Sequence, residues 1–266
     1  MNVLRYELRY ARLTTLCWII GIIAFTSMYL SVYPAFSNDV EQLQKTFANL
    51  PEAMRHVMGV GAMDRFTFLG FFGNVFPFIT LIGGIMALIL GFGALSKEQR
   101  LKTTEFLLTK PRSRSSIYLQ KIVSSVLVLV VTQLVVAGAA WLIAQLVGAG
   151  EFSGRRFMMF WGAFALIQFW LFAFAVAISQ LIRRIKSTVA PALGLGFGFF
   201  IAATLGAILG DDTMRWLTPF RFIDYGQIVT DGTYDDLHVM YIVAGILVFL
   251  GASYLTYTRK DIPSVS

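Results

Sequence analysis

Six long apolar windows without any charged residue constrain the fold of this chain more than any other feature. They cover residues 13–38, 66–96, 122–150, 157–182, 187–210 and 239–258. Each holds at least 20 residues, and a helix of about 20 apolar residues crosses the roughly 30 Å hydrocarbon layer of a bilayer. Only 14% of the residues are charged, against about 25% in soluble domains. The pattern predicts an all-α polytopic membrane protein.

The windows divide the 266 residues of one transmembrane domain into spans and loops. We predict spans at about 14–36, 68–95, 122–147, 157–181, 188–210 and 239–258. The loops are an inner one at 97–121 and outer ones at 39–65 and 211–238, where we expect short helices. Residues 1–13 place arginines on one helical stripe and tyrosines on another, which suits an interfacial helix in the headgroup layer. A basic flank that only fixes topology fits equally well.

The distribution of charge predicts the orientation of the chain. With the N-terminus inside, the inner segments hold 15 basic residues and four acids, whereas the outer segments hold 7 basic residues and 11 acids. The positive-inside rule therefore places both termini in the cytoplasm. We expect a multi-pass protein of the plasma membrane. The formal charge of +7 does not indicate nucleic-acid binding, because the basic residues are spread over separate helix ends.

The sequence lacks the residues that would let the chain hydrolyse ATP or couple transport to an ion gradient. Cys17 is the single cysteine, and His56 and His238 are the only histidines, so no metal cluster or Cys/His dyad can be assembled. No lysine follows a glycine, which excludes a phosphate-binding P-loop. The windows also lack the ionisable groups that ion-coupled carriers keep in the bilayer. We expect no catalytic residue, metal or cofactor here, and a partner protein as the energy source.

The inner loop 97–121 is the predicted landing site for that partner. Residues 97–109 are good helix formers, and Pro111 should end such a helix near Thr109. A serine at 113, 115 or 116 can then cap the third span. The alternative is a solvated connector that merely follows the positive-inside rule.

The same loop resembles the signature loop of ABC-2 type transporter permeases. That family shows an acidic residue, a Gly-Thr-x-Glu step, a Leu-Leu pair, Pro-x-Ser-Arg and a lysine that opens the third span. The matching residues here are Glu98, Thr103, Glu105, Leu107, Leu108, Pro111, Ser113, Arg114 and Lys121. Leu50 to Ala53 with Gly59, Pro219 to Phe222 and Arg259 to Ile262 resemble further family motifs, in the same order along the chain. Lys102 departs from the pattern, since the family often has glycine there.

The resemblance implies that two permeases pair, the second being an identical copy or a paralogue. It also implies that each docks a cytoplasmic ATP-binding cassette subunit, which holds ATP and Mg²⁺ and drives export. By position, the ATPase-coupling residues would be Glu98, Thr103, Glu105, Pro111, Arg112 and Arg114. Two rival functions remain: an ion-coupled secondary carrier using uncharged sodium ligands, and a membrane scaffold that moves no solute.

Small residues form a ladder along the fifth predicted span, one at every fourth position. They are Ala190, Gly194, Gly198, Ala202, Gly206 and Gly210. In lipid, such ridges let helix backbones approach closely, so we predict helix packing, preferably within one subunit and alternatively between two permeases.

Aromatic residues crowd several faces of the fourth predicted span, and this distribution favours lipid contact over a lining stripe. An apolar export path would also want such residues. Between Asp211 and His238, carboxylates surround aromatic residues, which suggests a hairpin with its rings toward the bilayer. None of these features identifies the cargo.

Overall fold

The computed structural model describes residues 3–37, 67–101, 113–147, 152–182, 185–210 and 213–259, with backbone alone for residues 3 and 98–101. Within these residues every labelled element is helical. They are α1 (Val3–Leu30), α2 (Phe68–Leu101), α3 (Arg114–Leu146), α4 (Gly154–Leu181), α5 (Val189–Leu209), α6 (Thr213–Leu217), α7 (Tyr225–Thr230) and α8 (Asp236–Arg259), with a 3₁₀ turn at Pro219–Arg221.

Six of these helices are long and apolar enough to cross a membrane: α1 with its continuation to Ser37, α2, α3, α4, α5 and α8. The predicted fold class is therefore confirmed. The chain is a multi-pass membrane protein. One difference lies at the N-terminus, where α1 runs unbroken from Val3 to Leu30, so residues 3–13 continue the first span as one helix.

Two parallel helices, α2 and α4, form the centre of the bundle. Rings of α2 interlock with rings of α4, and the centroids of Phe72 and Phe157 lie 5.0 Å apart, as do those of Phe76 and Phe160. Gly91 brings the two backbones into contact, because a Cβ there would lie 2.6 Å from the Phe172 carbonyl oxygen. Glycine allows this close approach in membrane helices.

The packing corrects the expectation that the aromatic residues of the fourth span face lipid. Phe157, Phe160, Phe164 and Phe172 are each at most 1% exposed. They fill the interior because α4 lies between α2 and α8 and packs on both. A helix with neighbours on two sides buries rings on several faces, so the spread of aromatics around α4 does not indicate lipid contact.

The remaining helices surround this centre. α1 packs mainly along α3, and α5 packs on α2. One end of the bundle, which we call the loop end, carries the N-terminus of α1, the C-termini of α2 and α8 and the start of α3. The other end, called the opposite end, carries the segment from Thr213 to Asp235.

Short helices in the segment 213–235 close the opposite end, whereas the aromatic and acidic pattern predicts a hairpin with its rings toward the bilayer. Phe220, Phe222 and Ile228 are buried, while Asp224 is exposed and accepts hydrogen bonds from the backbone N–H groups that begin α7. The predicted short helices of residues 39–65 lie outside the described residues.

Candidate coupling site

The helix ends on either side of the predicted coupling loop are well defined. α2 extends past the apolar window through Lys97 to Leu101, so the first residues of that loop continue the second span. α3 begins after Ser113, whose Oγ accepts a hydrogen bond from the Ser116 N–H at 3.3 Å. An N-cap of this kind satisfies a backbone donor that the helix leaves free, and Ser113 is one of the three predicted caps.

Between the helix ends that flank the loop lies a largely buried group of charges, which we call the Glu7 cluster: Glu7, Lys97 and Lys121. Lys97 Nζ lies 2.8 Å from Glu7 Oε2, and Lys121 Nζ lies 3.9 Å from Glu7 Oε1. Lys121 also donates to the Ala94 carbonyl oxygen at 3.1 Å. The cluster therefore joins α1, α2 and α3 at one point.

Both lysines are withdrawn from solvent, with 7% of the Lys97 side chain and 1% of the Lys121 side chain exposed. Tyr10 and Tyr6 cover Lys97, with their ring centroids 3.5 Å and 4.8 Å from Nζ. A cation over an aromatic face gains about 0.5–2 kcal/mol, more when it is desolvated. The tyrosine stripe of α1 thus covers a buried charge rather than only facing lipid headgroups.

A buried ion pair contributes geometry more reliably than net stability. Desolvation of each ion offsets much of the attraction, yet removal of one partner leaves an uncompensated charge and is strongly destabilising. Glu7 is the one carboxylate that this cluster offers to two lysines, so it fixes where α1 sits relative to α2 and α3.

Polar contacts also tie α3 to the end of α8. Ser115 Oγ and Tyr254 Oη lie 3.0 Å apart, and Tyr118 Oη donates to the Leu250 carbonyl oxygen at 3.0 Å. The N-terminus of α1, the C-terminus of α8 and both ends of the coupling loop consequently share one end of the bundle. The described ends of α1 and α8 thus lie on the same side of the bundle, and the cytoplasmic location of that side stays a prediction.

Most of the predicted coupling side chains fall outside this description. Arg114 is the first residue of α3 and is half-buried. Glu98 lies in the last turns of α2, where only the backbone is described. Thr103, Glu105, Pro111 and Arg112 lie outside the described residues, as does the predicted end of a helix at Thr109. The grouping of these six residues at a docking surface stays a prediction.

The Glu7 cluster was not among the predicted site residues. Two signals in the sequence point to it. Glu7 is the one acid among the three arginines of the first 13 residues, and Lys97 and Lys121 bracket the predicted coupling loop. The positive-inside rule counts each lysine singly and therefore does not reveal the pairing of both lysines with Glu7.

The predicted small-residue ladder on α5 does not form a seam within the described part of the subunit. Among the described residues, a Cβ at Gly194 or Gly198 would meet no atom within 4 Å. Ala190 is exposed, and Gly210 is the left-handed C-cap of α5. Of the ladder's glycines, Gly206 alone has a close neighbour in the described part of the chain, with a Cβ position 2.5 Å from Met214 Cβ.

The contact with α2 comes instead from the neighbouring ridge of α5. Ala192, Gly196 and Ala203 are buried, and a Cβ at Gly196 would lie 2.7 Å from the Ile85 side chain. This corrects the preference for packing within one subunit at Gly194 and Gly198. The alternative, contact with a second permease, stays a prediction.

Within the described ranges, no three His, Cys, Asp or Glu residues form a group that can hold a metal ion. The loop end is built for positioning, with buried charges and helix ends, and its described residues form no recognisable catalytic arrangement.

Comparison with known proteins places this arrangement in a family. The sequence model of a family described as "ABC-2 family transporter protein" matches residues 1–262. No curated protein matches the chain.

Proposed function

Since this chain belongs to the ABC-2 family of transporter proteins and is a membrane component of an ABC-type transporter, we propose that it is the permease subunit of an ATP-driven exporter. It would form the translocation path with a second permease, identical or paralogous, in the plasma membrane. ATP and Mg²⁺ would be held by separate cytoplasmic ATP-binding cassette subunits.

The observation that carries this proposal is the match over residues 1–262. The sequence adds support, because it lacks a P-loop lysine and keeps charge out of all six apolar windows. A membrane protein without a nucleotide site or an intramembrane ion relay needs an external source of energy. The positive charge of the inner segments supports a cytoplasmic loop end, where the ATPase would dock.

The loop 97–121 is the proposed docking element. Its two ends are anchored by the buried Glu7 cluster and by Ser113, so a force on the loop is passed to α1, α2 and α3 together. Charged pairs at a docking surface set register and orientation more than affinity. Glu105 and Arg114 are the charged loop residues that we assign to this contact.

Charge reversal tests the assignment. In inside-out vesicles that contain the permease and its co-purified ATPase, Glu105→Arg or Arg114→Glu should abolish vanadate-sensitive, ATP-dependent export while the protein still inserts. Lys186→Glu is the matched control, because Lys186 is an exposed basic residue in another inner segment. Unchanged export in both loop variants would remove the loop from the mechanism.

The same preparation separates the rival functions. An ion-coupled carrier would move solute in liposomes without nucleotide or partner. A scaffold would show no substrate-stimulated ATP hydrolysis when purified with its cassette partner. Either result would overturn the proposed exporter.

A further inference from the structure

Five of the six spans divide into two groups by their contacts, and the remaining span, α5, packs on α2. α1 packs mainly along α3, whereas α2 packs mainly along α4, which also carries α8. Between the two groups each pair of helices meets over fewer residues. The loop 102–112 connects α2 to α3 and so bridges one group to the other.

The contacts between the groups differ in kind at the two ends of the bundle. At the opposite end they are aromatic: ring centroids lie 4.7 Å apart for Tyr29 and Phe71, and 5.1 Å apart for Tyr33 and Phe68. Trp141 of α3 likewise lies 5.6 Å from Phe157 of α4. These rings are large, and separating them would open cavities that cost dispersion energy.

At the loop end the contacts combine polar bonds with rings, since the centroids of Tyr254 and Tyr257 on α8 lie 5.4 and 5.7 Å from that of Tyr118 on α3. The polar contacts at this end comprise the Glu7 cluster, the bond from Lys121 to the Ala94 carbonyl, and the bonds of Tyr118 and Ser115 to α8. Water and headgroups can replace such partners near the membrane surface, so a neutral hydrogen bond contributes only about 0.5–1.5 kcal/mol net. An unpaired buried charge is strongly destabilising, so opening at this end requires new partners for the freed charges. Water and lipid headgroups at the membrane surface provide such partners, whereas the rings of the opposite end have no comparable replacement.

We propose that each permease opens within itself, between the α1–α3 pair and the group of α2, α4 and α8, with the aromatic end as the fixed side. Glu7 is the positioning residue that holds the loop end closed, because its carboxylate on α1 pairs with Lys97 on α2 across the boundary. A pull on the loop by the docked partner would separate Lys97 from Glu7 and leave Lys121 within reach of the freed carboxylate.

The significance of this opening for transport rests on the proposed function, but the opening itself is measured on the permease alone. Failure of ATP coupling would leave the distances below unaffected, so the two proposals fail separately.

The test is pulsed electron paramagnetic resonance on the full chain in lipid nanodiscs. Cys17, the single cysteine, is first replaced by serine, and each labelled sample is diluted with unlabelled protein to remove distances between copies. Paired cysteines are then introduced at exposed positions.

Three label pairs separate the alternatives. Leu13 and Leu181 lie on different groups at the loop end, Leu13 and Leu119 lie on the same group, and Met28 and Met158 lie on different groups at the opposite end. All five side chains are exposed. Each pair reports on one boundary or on one rigid unit.

In the Glu7→Gln variant, the pair at 13 and 181 should shift or broaden by about 5 Å, the scale of a one-turn helix displacement. The pairs at 13 and 119 and at 28 and 158 should keep their wild-type distributions. Charge exchange, Glu7→Lys with Lys97→Glu, should restore the wild-type distance, because an acid and a base again face each other across the boundary between α1 and α2. Arg9→Gln, which removes an exposed charge from the same helix, should leave all three pairs unchanged.

Three outcomes would overturn the proposal. First, an unchanged distance between labels 13 and 181 in Glu7→Gln would show that the Glu7 carboxylate does not hold the loop end closed. All three pairs could broaden together, which indicates general loss of packing rather than opening at one end. Arg9→Gln could reproduce the effect, which would assign it to net charge instead of the pairing with Lys97.

Discussion

Replacement of Gly91 by alanine tests how tightly α2 and α4 are held together. A Cβ at this position would lie 2.6 Å from the Phe172 carbonyl oxygen, 2.7 Å from Ala175 Cβ and 3.2 Å from Val176 N. Two of these three atoms belong to the backbone of α4, and the third is bonded directly to it. No change of rotamer can relieve the clash, so the two helices must move apart.

The distance by which α4 must move away from α2 determines how much packing energy is lost. Ordinary contact begins at 3.4 Å, so α4 must retreat by 3.4 minus 2.6, or 0.8 Å, at this level of the bundle. A gap of about 0.5–1 Å forfeits a quarter to a half of the dispersion energy of each contact that it opens. Overpacking of this kind costs about 1–3 kcal/mol in protein cores.

Gly93→Ala provides the matched control. Gly93 lies two residues away on the same helix, and a Cβ there would meet only Thr188 Cγ2, at 3.9 Å. Alanine improves helix propensity by about 0.8–1.0 kcal/mol over glycine at either position, so this gain cancels in the comparison. Gly91→Ala should therefore be about 1–3 kcal/mol less stable than Gly93→Ala.

The assay is reversible unfolding of each purified variant in mixed micelles as the SDS mole fraction rises, followed by tryptophan fluorescence. Equal midpoints and slopes for the two variants would refute the reasoning, because they would mean that α2 and α4 accommodate an added methyl group freely. A specific loss in Gly91→Ala would identify the α2–α4 contact as the rigid part of the subunit.

Two further predictions concern the opposite end. Arg156 donates to two carbonyl oxygens of α7, at 2.7 and 3.1 Å, so Arg156→Met should speed deuterium exchange across residues 225–235. The control is Arg155→Met, at an exposed neighbouring position, which should leave the exchange rates unchanged. Equal exchange rates in the two variants would contradict this prediction. A hydrogen bond with His238 holds the pKa of Asp235 below its ordinary value. That contribution is complete above the unfolded-state pKa of about 3.9 and is lost as pH falls through the lower folded-state pKa. In Asp235→Asn the melting temperature should therefore fall less steeply than in the wild type as the pH is lowered. Parallel curves of melting temperature against pH for the two proteins would show that the Asp235–His238 pair does not contribute to stability.

The spans could be predicted from the sequence because the bilayer imposes one simple condition, a long window without charge. α2 begins at Phe68 and α4 ends at Leu181, close to the limits of their apolar windows at 66 and 182. α1 and α3 begin earlier than their windows, at Val3 and Arg114. Helices continue into the polar boundary because backbone hydrogen bonding persists there, whereas hydropathy reports only on the hydrocarbon layer.

Which helix faces meet could not be read from the sequence by the same reasoning. The ladder through Gly194 and Gly198 and the ridge through Ala192 and Gly196 are both rich in small residues, and either can support close packing. Only the position of α2 decides between them, because Ile85 occupies the space beside Gly196. The aromatic residues of α4 present the same ambiguity, since rings suit both lipid and interior.

The number of basic residues in a segment predicts its side of the membrane, but it does not predict which charges pair with each other, as the Glu7 cluster shows. The positive-inside rule treats Lys97 and Lys121 as equivalent flanking charges and gives Glu7 little weight. Yet these are the charges that the fold withdraws from solvent, because the first turns of α1 lie against the end of α2. Because Lys97 and Lys121 both contact the Glu7 carboxylate, their contributions to stability are coupled and cannot be added residue by residue. The two lysines that count toward the predicted orientation therefore also hold α1, α2 and α3 together at the loop end.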